Sequence, residues 1–278
     1  MHEFTRGSFV FDVDDSGPRD GEVVVLLHGY PENRTSWQAV TPLLTDAGCR
    51  VLAPDQRGYS PRARPPHRRD YRVTELVADV LALIDAAGVD RVHLVGHDWG
   101  GIVAWVLAHR HPDRLHTVTS LTTPHPRAYS ASLLRSTQLL HSWYVLMFQL
   151  PWLPESGMRG PGAAFARRVL VSSGLPPEAA DRYVAPLQQP GAARAAINWY
   201  RGLPLSPPLV GKVEVPTLYV YATEDRFLTR TAAELTGSYV AATYRFEVLD
   251  RMNHWLPELA PDIVARLVLD HAHRHGSR

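Results

Sequence analysis

Short apolar runs alternate with longer amphipathic segments along the first half of the chain. Residues 23–27 and 50–53 are largely apolar runs that end in polar loops, as strands buried on both faces do. Residues 74–87 repeat apolar positions at helical spacing, and another apolar run at residues 92–95 leads into a small-residue helix at residues 101–109. The alternation predicts a mostly parallel sheet flanked by helices.

The pattern changes after a predicted strand at residues 117–121. From residue 124 to residue 208 no run is strand-like, and Leu, Ala, Arg, Trp and Pro crowd into helical patterns. Strand patterns return at residues 217–221 and 244–249, and a helix is predicted at residues 262–271. Because the sheet resumes, we predict one core, residues 1–123 and 213–278, with a helical cap or lid inserted at residues 124–212.

Composition and charge narrow the functional classes. The chain has 278 residues, 45% hydrophobic and 21% charged, so disorder and coiled coils are poor interpretations. Basic and acidic residues nearly cancel, 29 against 28, which gives no reason to expect nucleic acid or an anionic membrane as a partner. The basic run at residues 61–70 is accordingly interpreted as a solvated loop.

Targeting and redox signals are few. The single cysteine, Cys49, cannot form an internal disulfide, and no apolar run reaches the roughly 18 residues that a membrane helix needs. The first ten residues lack the basic start and apolar stretch of a secretory signal. We therefore expect a cytoplasmic protein.

A Gly-x-Asp-x-Gly motif at residues 96–100 is the most informative stretch. It follows a predicted strand and precedes a helix, which is the layout of a nucleophile elbow, where small neighbours let a strained central residue project into a cleft. The central residue is Asp98, whose carboxylate is suited to attack a saturated carbon and form an alkyl ester. A helix N-cap is the competing interpretation of the same aspartate.

An acid and a histidine follow Asp98 in the chain order expected of a catalytic triad. Asp225 and His254 each come after a predicted strand, so all three lie beyond the carboxyl ends of strands, where functional groups collect in parallel sheets. A neutral His254 would activate water, and Asp225 would orient its ring. Glu224 is the adjacent rival for that second role.

Two main-chain N–H groups are candidates for an oxyanion hole. The run from His28 to Pro31 follows the first strong strand, so the N–H of Tyr30 is one candidate. The N–H of Trp99, directly after Asp98, is the other, and together they would stabilise the anion that forms when the ester is attacked. A plain strand-to-loop turn is the alternative interpretation of the glycine and proline in this run.

These motifs resemble those of α/β-hydrolases in the group of epoxide hydrolases and haloalkane dehalogenases. The similarity spans nearly the whole chain through HGYPENRTSW (28–37), DQRGYS (55–60), GHDWGG (96–101) and MNHWLPE (252–258). It implies an α/β-hydrolase fold with an inserted helical cap. It also implies the nucleophile Asp98, the acid Asp225 and the base His254.

Two runs in the insertion resemble lid segments of epoxide hydrolases that each contribute a tyrosine. They are SWYVLMFQLP (142–151) and NWYR (198–201). The resemblance implies that Tyr144 and Tyr200 hydrogen-bond the epoxide oxygen and protonate it, which a phenol with a pKa of about 10 is able to do. Packing against the core is the alternative role for both. Trp99, Met147 and Phe148 are expected to bind the substrate in an apolar tunnel.

Hydrolysis of an epoxide to a vicinal diol, through a covalent ester on Asp98, is the function we expect. A haloalkane dehalogenase is the nearest alternative, but those enzymes need a second halide donor, commonly Asn at the position of Tyr30 or a lid Trp. Fluoroacetate dehalogenases carry Arg where this chain has Trp99, and ester hydrolysis normally goes with Ser at position 98. A catalytically silent binding protein is a remote alternative, because the triad is intact.

The expected chemistry requires neither a metal nor an organic cofactor. The expected partners are a small-molecule epoxide and water, with no nucleic acid and no membrane.

Overall fold

The fold is described by a computed structural model that covers residues 1–207 and 211–276. The strands in these residues are β1 (Glu3–Arg6), β2 (Phe9–Ser16), β3 (Val23–Leu27), β4 (Arg50–Pro54), β5 (Val92–His97), β6 (Leu115–Leu121), β7 (Thr217–Ala222) and β8 (Tyr244–Leu249). All of them belong to one sheet, in the order β1-β2-β4-β3-β5-β6-β7-β8.

Most of the sheet is parallel, as the sequence predicts. β3 pairs in parallel with β4 and β5, and parallel pairing continues through β6, β7 and β8. β1 and β2 form an antiparallel hairpin that joins the sheet through β4. The sequence analysis did not predict this hairpin, whose strands mix acidic and apolar residues and so lack the continuous apolar runs of the central strands.

The helices of the described residues lie between the strands along the chain and after the last strand. They are α1 (Val40–Asp46), α2 (Val73–Ala87), α3 (Trp99–Arg110), α4 (Pro126–Ser132), α5 (Gln138–His141), α6 (Trp143–Met147), α7 (Leu153–Ser156), α8 (Ala163–Ser172), α9 (Pro177–Leu187), α10 (Ala192–Gly202), α11 (Arg230–Leu235), α12 (Leu256–Leu259) and α13 (Pro261–His275). Short 3₁₀ helices occur at Arg34–Trp37, Arg68–Tyr71, Pro112–Arg114, Gly160–Gly162, Leu203–Leu205 and Thr236–Tyr239.

The sheet is covered on both faces, and the side chains of β3 illustrate how. Val23, Val25 and Leu27 pack into one apolar cluster with α2 and α3, whereas Val24 and Leu26 pack into a second cluster with α1 and α13. Alternate residues of a strand point to opposite faces, so a strand buried on both faces must be apolar throughout. The continuous apolar runs of the sequence are explained by this three-layer arrangement.

The predicted elements are present, with ends shifted by up to four residues. β5 extends to His97 because Gly96 and His97 pair with Ser120 and Leu121 of β6, although glycine is a poor strand former. α2 ends at Gly88, which adopts φ 73°, a backbone conformation that glycine tolerates best. Pairing and capping, which a hydrophobic pattern does not report, therefore set these boundaries.

Helices α4 to α10 lie between β6 and β7, so this stretch interrupts the sheet without adding a strand to it in residues 124–207. Part of it packs through a separate apolar cluster that includes Leu170, Tyr183 and the core residue Trp255. The core resumes at Val213, which forms a β-bridge with Val240. Residues 208–210 of the predicted insertion, and residues 277–278 of the predicted core, lie outside the described residues.

None of the helices within the two described ranges is long and apolar enough to cross a membrane.

Candidate active site

Asp98 lies in a sharp turn between β5 and α3. Its backbone adopts φ 48° and ψ −118°, a region that residues other than glycine rarely occupy, so the surrounding packing must hold the strain. A Cβ on Gly100 would lie 2.2 Å from the carbonyl oxygen of Leu27, which explains why glycine follows the turn. The carboxylate of Asp98 accepts no hydrogen bond from the N–H groups of α3. It therefore projects away from α3, and the N-cap alternative does not apply.

His254 and Asp225 meet Asp98 at the carboxyl edge of the sheet. Nδ1 of His254 lies 2.7 Å from Oδ2 of Asp225, and Nε2 of His254 lies 3.6 Å from Oδ2 of Asp98. The other oxygen of Asp225 accepts hydrogen bonds from the N–H groups of Phe227 and Leu228, at 2.7 and 3.1 Å. Both oxygens of the Asp225 carboxylate are thus hydrogen-bonded, so its position is fixed and it is able to orient the imidazole. Its neighbour, the predicted rival at position 224, is exposed to solvent.

The histidine carries a positive charge between two carboxylates. Burial alone would lower the pKa of His254, but the charge of Asp225, its hydrogen bond and the contact with Asp98 raise it to about 10. Burial likewise opposes ionisation of Asp98, yet contact with the His254 imidazolium holds the pKa of Asp98 below its usual value. The resting site therefore holds an ionised nucleophile beside a protonated histidine at neutral pH.

A main-chain donor already points at the nucleophile. The N–H of Tyr30 donates to Oδ1 of Asp98 at 2.7 Å. This approach requires glycine at position 29, because a Cβ on Gly29 would lie 2.4 Å from the Cβ of Asp98. Trp99 is the first residue of α3, and its side chain is buried. The two residues predicted for the oxyanion hole thus flank Asp98 on the β3 loop and on α3.

A cavity of about 850 Å³ opens above Asp98 and His254. Its lining is mostly apolar and aromatic, and it comes from helices α5 to α10 as well as from the core. Tyr144, Tyr200, Met147 and Phe148, all singled out in the sequence, are among the lining residues. A large apolar cavity with a few polar groups at its base is the usual form of a small-molecule site.

The two lid tyrosines lie together at this cavity, and Tyr200 also contacts Trp99. The ring centroids of Tyr144 and Tyr200 are 5.9 Å apart, and those of Tyr200 and Trp99 are 4.9 Å apart. Burial raises the pKa of each tyrosine well above its usual value, and the negative charge of Asp98 raises it further. Both phenols are therefore protonated at neutral pH and able to donate a hydrogen bond or a proton near Asp98.

Helix α10 is held in place by the residues on either side of Tyr200. Nε1 of Trp199 donates to the carbonyl oxygen of Arg57 at 2.7 Å, which ties the helix to the core. Arg201 forms two hydrogen bonds with the carboxylate of Glu155, at 2.6 and 3.0 Å, and its Nε donates to the carbonyl oxygen of Phe148. The NWYR motif thus joins the two segments that carry the lid tyrosines.

A buried acid and histidine behind the triad were not singled out in the sequence. Glu32 and His97 are fully buried, and Oε2 of Glu32 lies 2.8 Å from Nδ1 of His97. Nε2 of His97 donates to the carbonyl oxygen of His254 at 2.8 Å, which fixes the loop of the base. Both residues lie in motifs that carry the family resemblance: Glu32 follows Pro31, and His97 precedes Asp98. Their position beside candidate site residues was the sequence signal for a role in the site.

Across the described ranges, no group of three or more His, Cys, Asp or Glu side chains is arranged to hold a metal ion.

The chain is similar to known proteins over almost its entire length. The model of the alpha/beta hydrolase fold family matches residues 22–261. The AB hydrolase superfamily protein YfhM of Bacillus subtilis is 36% identical, over 92% of each chain. Epoxide hydrolase A of Mycobacterium tuberculosis is 33% identical, over 93% of this chain and 92% of its own.

A solved structure shares the architecture. The crystal structure of Epoxide Hydrolase A from Mycobacterium thermoresistibile aligns with a TM-score of 0.83 at 27% sequence identity and covers 98% of both chains.

Proposed function

Because the chain belongs to the alpha/beta hydrolase fold family and is related to its epoxide hydrolases, we propose that it is an epoxide hydrolase, which converts an epoxide and water into a vicinal diol. One observation carries the proposal: the residue in the strained turn is an aspartate, which shares its cavity with His254 and with the cap tyrosines Tyr144 and Tyr200. An aspartate in that position attacks a saturated carbon, whereas acyl transfer normally uses serine or cysteine.

In the first step the carboxylate of Asp98 attacks one ring carbon of the epoxide. A bond forms between a carboxylate oxygen and that carbon, and the bond between the carbon and the ring oxygen breaks. Tyr144 and Tyr200 hold the ring oxygen and donate a proton to the developing alkoxide, which their raised pKa values support because both phenols keep their protons until then. The product of this step is a hydroxyalkyl ester of Asp98.

Formation of the ester changes the charge around His254. The ester of Asp98 is neutral, so the imidazolium loses one of the two carboxylates that stabilise it, and its pKa falls from about 10. It then releases its proton, which restores the tyrosine that protonated the ring oxygen, and the neutral imidazole is able to act as a base. The site thus supports a protonated histidine before ring opening and a neutral one afterwards.

In the second step His254, oriented by Asp225, removes a proton from water. The hydroxide attacks the carbonyl carbon of the Asp98 ester, and the bond from that carbon to the diol oxygen breaks. The N–H of Tyr30, which donates to Oδ1 of Asp98 in the free enzyme, and the N–H of Trp99 stabilise the oxyanion. The departing diol oxygen takes the proton of the acid that forms at Asp98, which restores the carboxylate, and His254 keeps the proton that it took from water, as in the resting site.

We assign residues 124–212 to a cap and the remaining residues to the catalytic core. The assignment is supported by the position of helices α4 to α10 between β6 and β7, and by the lid tyrosines that they contribute to the cavity. Met147 and Phe148 form part of the substrate tunnel in this assignment.

The proposed reaction uses water as its only co-substrate and needs no cofactor, because side-chain or main-chain groups supply each nucleophile, proton and stabilising dipole. We place the enzyme in the cytoplasm, where the single, buried cysteine Cys49 needs no disulfide partner.

A haloalkane dehalogenase would use the same triad, but it has less support. Its halide would need a second N–H donor, and Tyr30 stands where Asn is common. Of the cap tryptophans, Trp199 already donates its indole N–H to the carbonyl oxygen of Arg57, whereas Trp143 lines the cavity and is largely exposed to solvent. Halide release is therefore an outcome to be tested and not the expected one.

Turnover of styrene oxide and of a bromoalkane by wild type and by Tyr200→Phe tests the proposal. We expect diol from the epoxide and no bromide, and a loss in the variant on the order of tenfold to hundredfold, because one of two proton donors is removed. Tyr219→Phe is the matched control, since Tyr219 is buried in β7 and lies outside the cavity lining.

Bromide release that is unaffected by Tyr200→Phe would establish a dehalogenase and leave Tyr200 a packing role. Equal losses in Tyr200→Phe and Tyr219→Phe would also contradict the proton-donor role. A folded wild type that binds styrene oxide without consuming it would support the silent binding protein.

A further inference from the structure

Apolar side chains are exposed at one place in the cap. Among the described residues thirteen large apolar side chains are exposed, and ten of them lie between residues 134 and 169. We call these ten residues the apolar collar; they are Leu134, Leu139, Leu140, Trp143, Leu146, Leu150, Trp152, Leu153, Phe165 and Val169. Leu134, Trp152 and Leu140 are its most exposed members, at 94%, 78% and 73%. Single exposed apolar residues are ordinary, but a cluster of this size marks an interaction surface.

Half of the collar lies at the catalytic cavity. Leu140, Trp143, Leu153, Phe165 and Val169 are exposed and also line the cavity that contains Asp98 and His254. The cavity therefore opens to the outside through the collar. A second protein copy bound to the collar would block this opening. A partner that itself delivers apolar substrate into the cavity would leave the enzyme able to work.

Charges near the collar favour an anionic partner. Between residues 124 and 176 the chain carries five arginines and one acid, Glu155, which pairs with Arg201. One of the five arginines, Arg167, pairs with Asp181, which lies outside this stretch. Arg135, Arg159 and Arg168 are exposed, and none of the described acids forms an ion pair with them. The net charge of +1 for the whole chain, from which no membrane partner was expected, conceals this local excess of positive charge.

We propose that the apolar collar docks on the surface of an anionic lipid bilayer and that the cavity takes up lipophilic epoxides from it. Apolar side chains that include tryptophan, next to arginines, are the composition of interfacial membrane-binding surfaces. The substrate class rests on the proposed function, but the docking itself does not.

Flotation of the full chain with lipid vesicles tests the docking without any epoxide. We expect the protein to float with vesicles of phosphatidylcholine and phosphatidylglycerol, to float less with phosphatidylcholine alone, and to be released by salt, because screening weakens the attraction to arginine. No flotation with either composition would overturn the proposal.

Variants locate the contact on the collar. Leu146 and Trp152 are exposed collar residues outside the cavity lining, so Leu146→Glu combined with Trp152→Glu should weaken partitioning by about tenfold or more. Turnover of water-soluble styrene oxide should not change. Val248→Glu, an apolar-to-acidic change on exposed Val248 of the edge strand, is the control. Equal effects of the double variant and the control would contradict docking through the collar.

Tryptophan quenching in the wild type is independent of any variant. Trp143 and Trp152 are exposed, whereas Trp37, Trp99, Trp105, Trp199 and Trp255 are buried. An aqueous quencher such as acrylamide therefore reaches chiefly the two collar tryptophans, and anionic vesicles should protect them. Undiminished quenching in the presence of such vesicles would overturn the proposal.

Two further outcomes separate the possibilities. A dimer in light scattering that Leu146→Glu dissociates, without vesicle binding, would assign the collar to a second copy and overturn the proposal. Vesicle binding by a protein that turns over no epoxide would refute the proposed function and leave the docking intact.

Discussion

At the scale of single residues, the chemistry depends on the charge that Asp98 and His254 share. Nε2 of His254 lies 3.6 Å from Oδ2 of Asp98, close enough for strong attraction and longer than a good hydrogen bond. The imidazole is therefore not locked onto the nucleophile, and it is free to contact a water once the carboxylate becomes an ester. In the proposed mechanism the same pair provides an ionised nucleophile in one step and a neutral base in the next.

Asp98→Asn should lower the pKa of His254 below about 10, since the neutral amide removes one of the two charges that stabilise the imidazolium.

The same change should alter how stability depends on pH. A histidine whose pKa is raised on folding stabilises the folded state at pH values below its unfolded pKa of about 6.5, and this contribution is lost as the pH rises through about 10. Asp98→Asn should lose this stabilising contribution at a lower pH than the wild type does. NMR titration of the imidazole measures the shift, with Asp46→Asn, an exposed change, as control. An unchanged titration in Asp98→Asn would refute the coupling.

At the scale of elements, α10 is the helix on which the lid chemistry depends. Its Tyr200 faces the cavity, while Trp199 anchors it to the core. Arg201 anchors it to the segment between Phe148 and Glu155. The ion pair of Arg201 with Glu155 is largely buried, at 10% and 16% exposure. Loss of one partner would leave the other charge without compensation inside the cap.

Arg201→Ala should therefore lower the free energy of unfolding by about 3 kcal/mol. Arg167→Ala removes an exposed cap ion pair with Asp181 and should cost less than about 1 kcal/mol. Urea unfolding followed by circular dichroism gives both values. Similar losses in the two variants would show that the pair does not anchor α10.

Sequence patterns predict these elements unevenly. The central strands β3, β4, β5 and β7 are predictable because burial on both faces favours largely apolar runs. The edge strand β8 is half-buried and is predictable from its alternation of apolar and charged residues. The β1–β2 hairpin is not, since an edge with one solvated face tolerates the acids of β2 and leaves a weak pattern. The cap helices are short, and α5, α6 and α7 span only four or five residues each, too few for periodicity to define their ends.

At the scale of the whole molecule, the site lies where the carboxyl edge of the sheet meets helices α5 to α10. The order of Asp98, Asp225 and His254 along the chain is visible in the sequence, and their convergence follows from parallel topology. The pairing of Glu32 with His97 is not visible, because it depends on the loop after β3 and the end of β5, which meet only in the folded sheet. The apolar collar is likewise hidden, since an apolar residue in a helical pattern does not reveal whether another helix covers it.

A single turnover in H₂¹⁸O, with enzyme in excess over styrene oxide, tests the central claim most directly. If Asp98 is the nucleophile, the oxygen added to the diol comes from its carboxylate, and water replaces that oxygen when the ester is cleaved. The account predicts an unlabelled diol and ¹⁸O in the peptide that contains Asp98. A labelled diol with an unlabelled Asp98 would mean that water attacks the epoxide directly, and would contradict it.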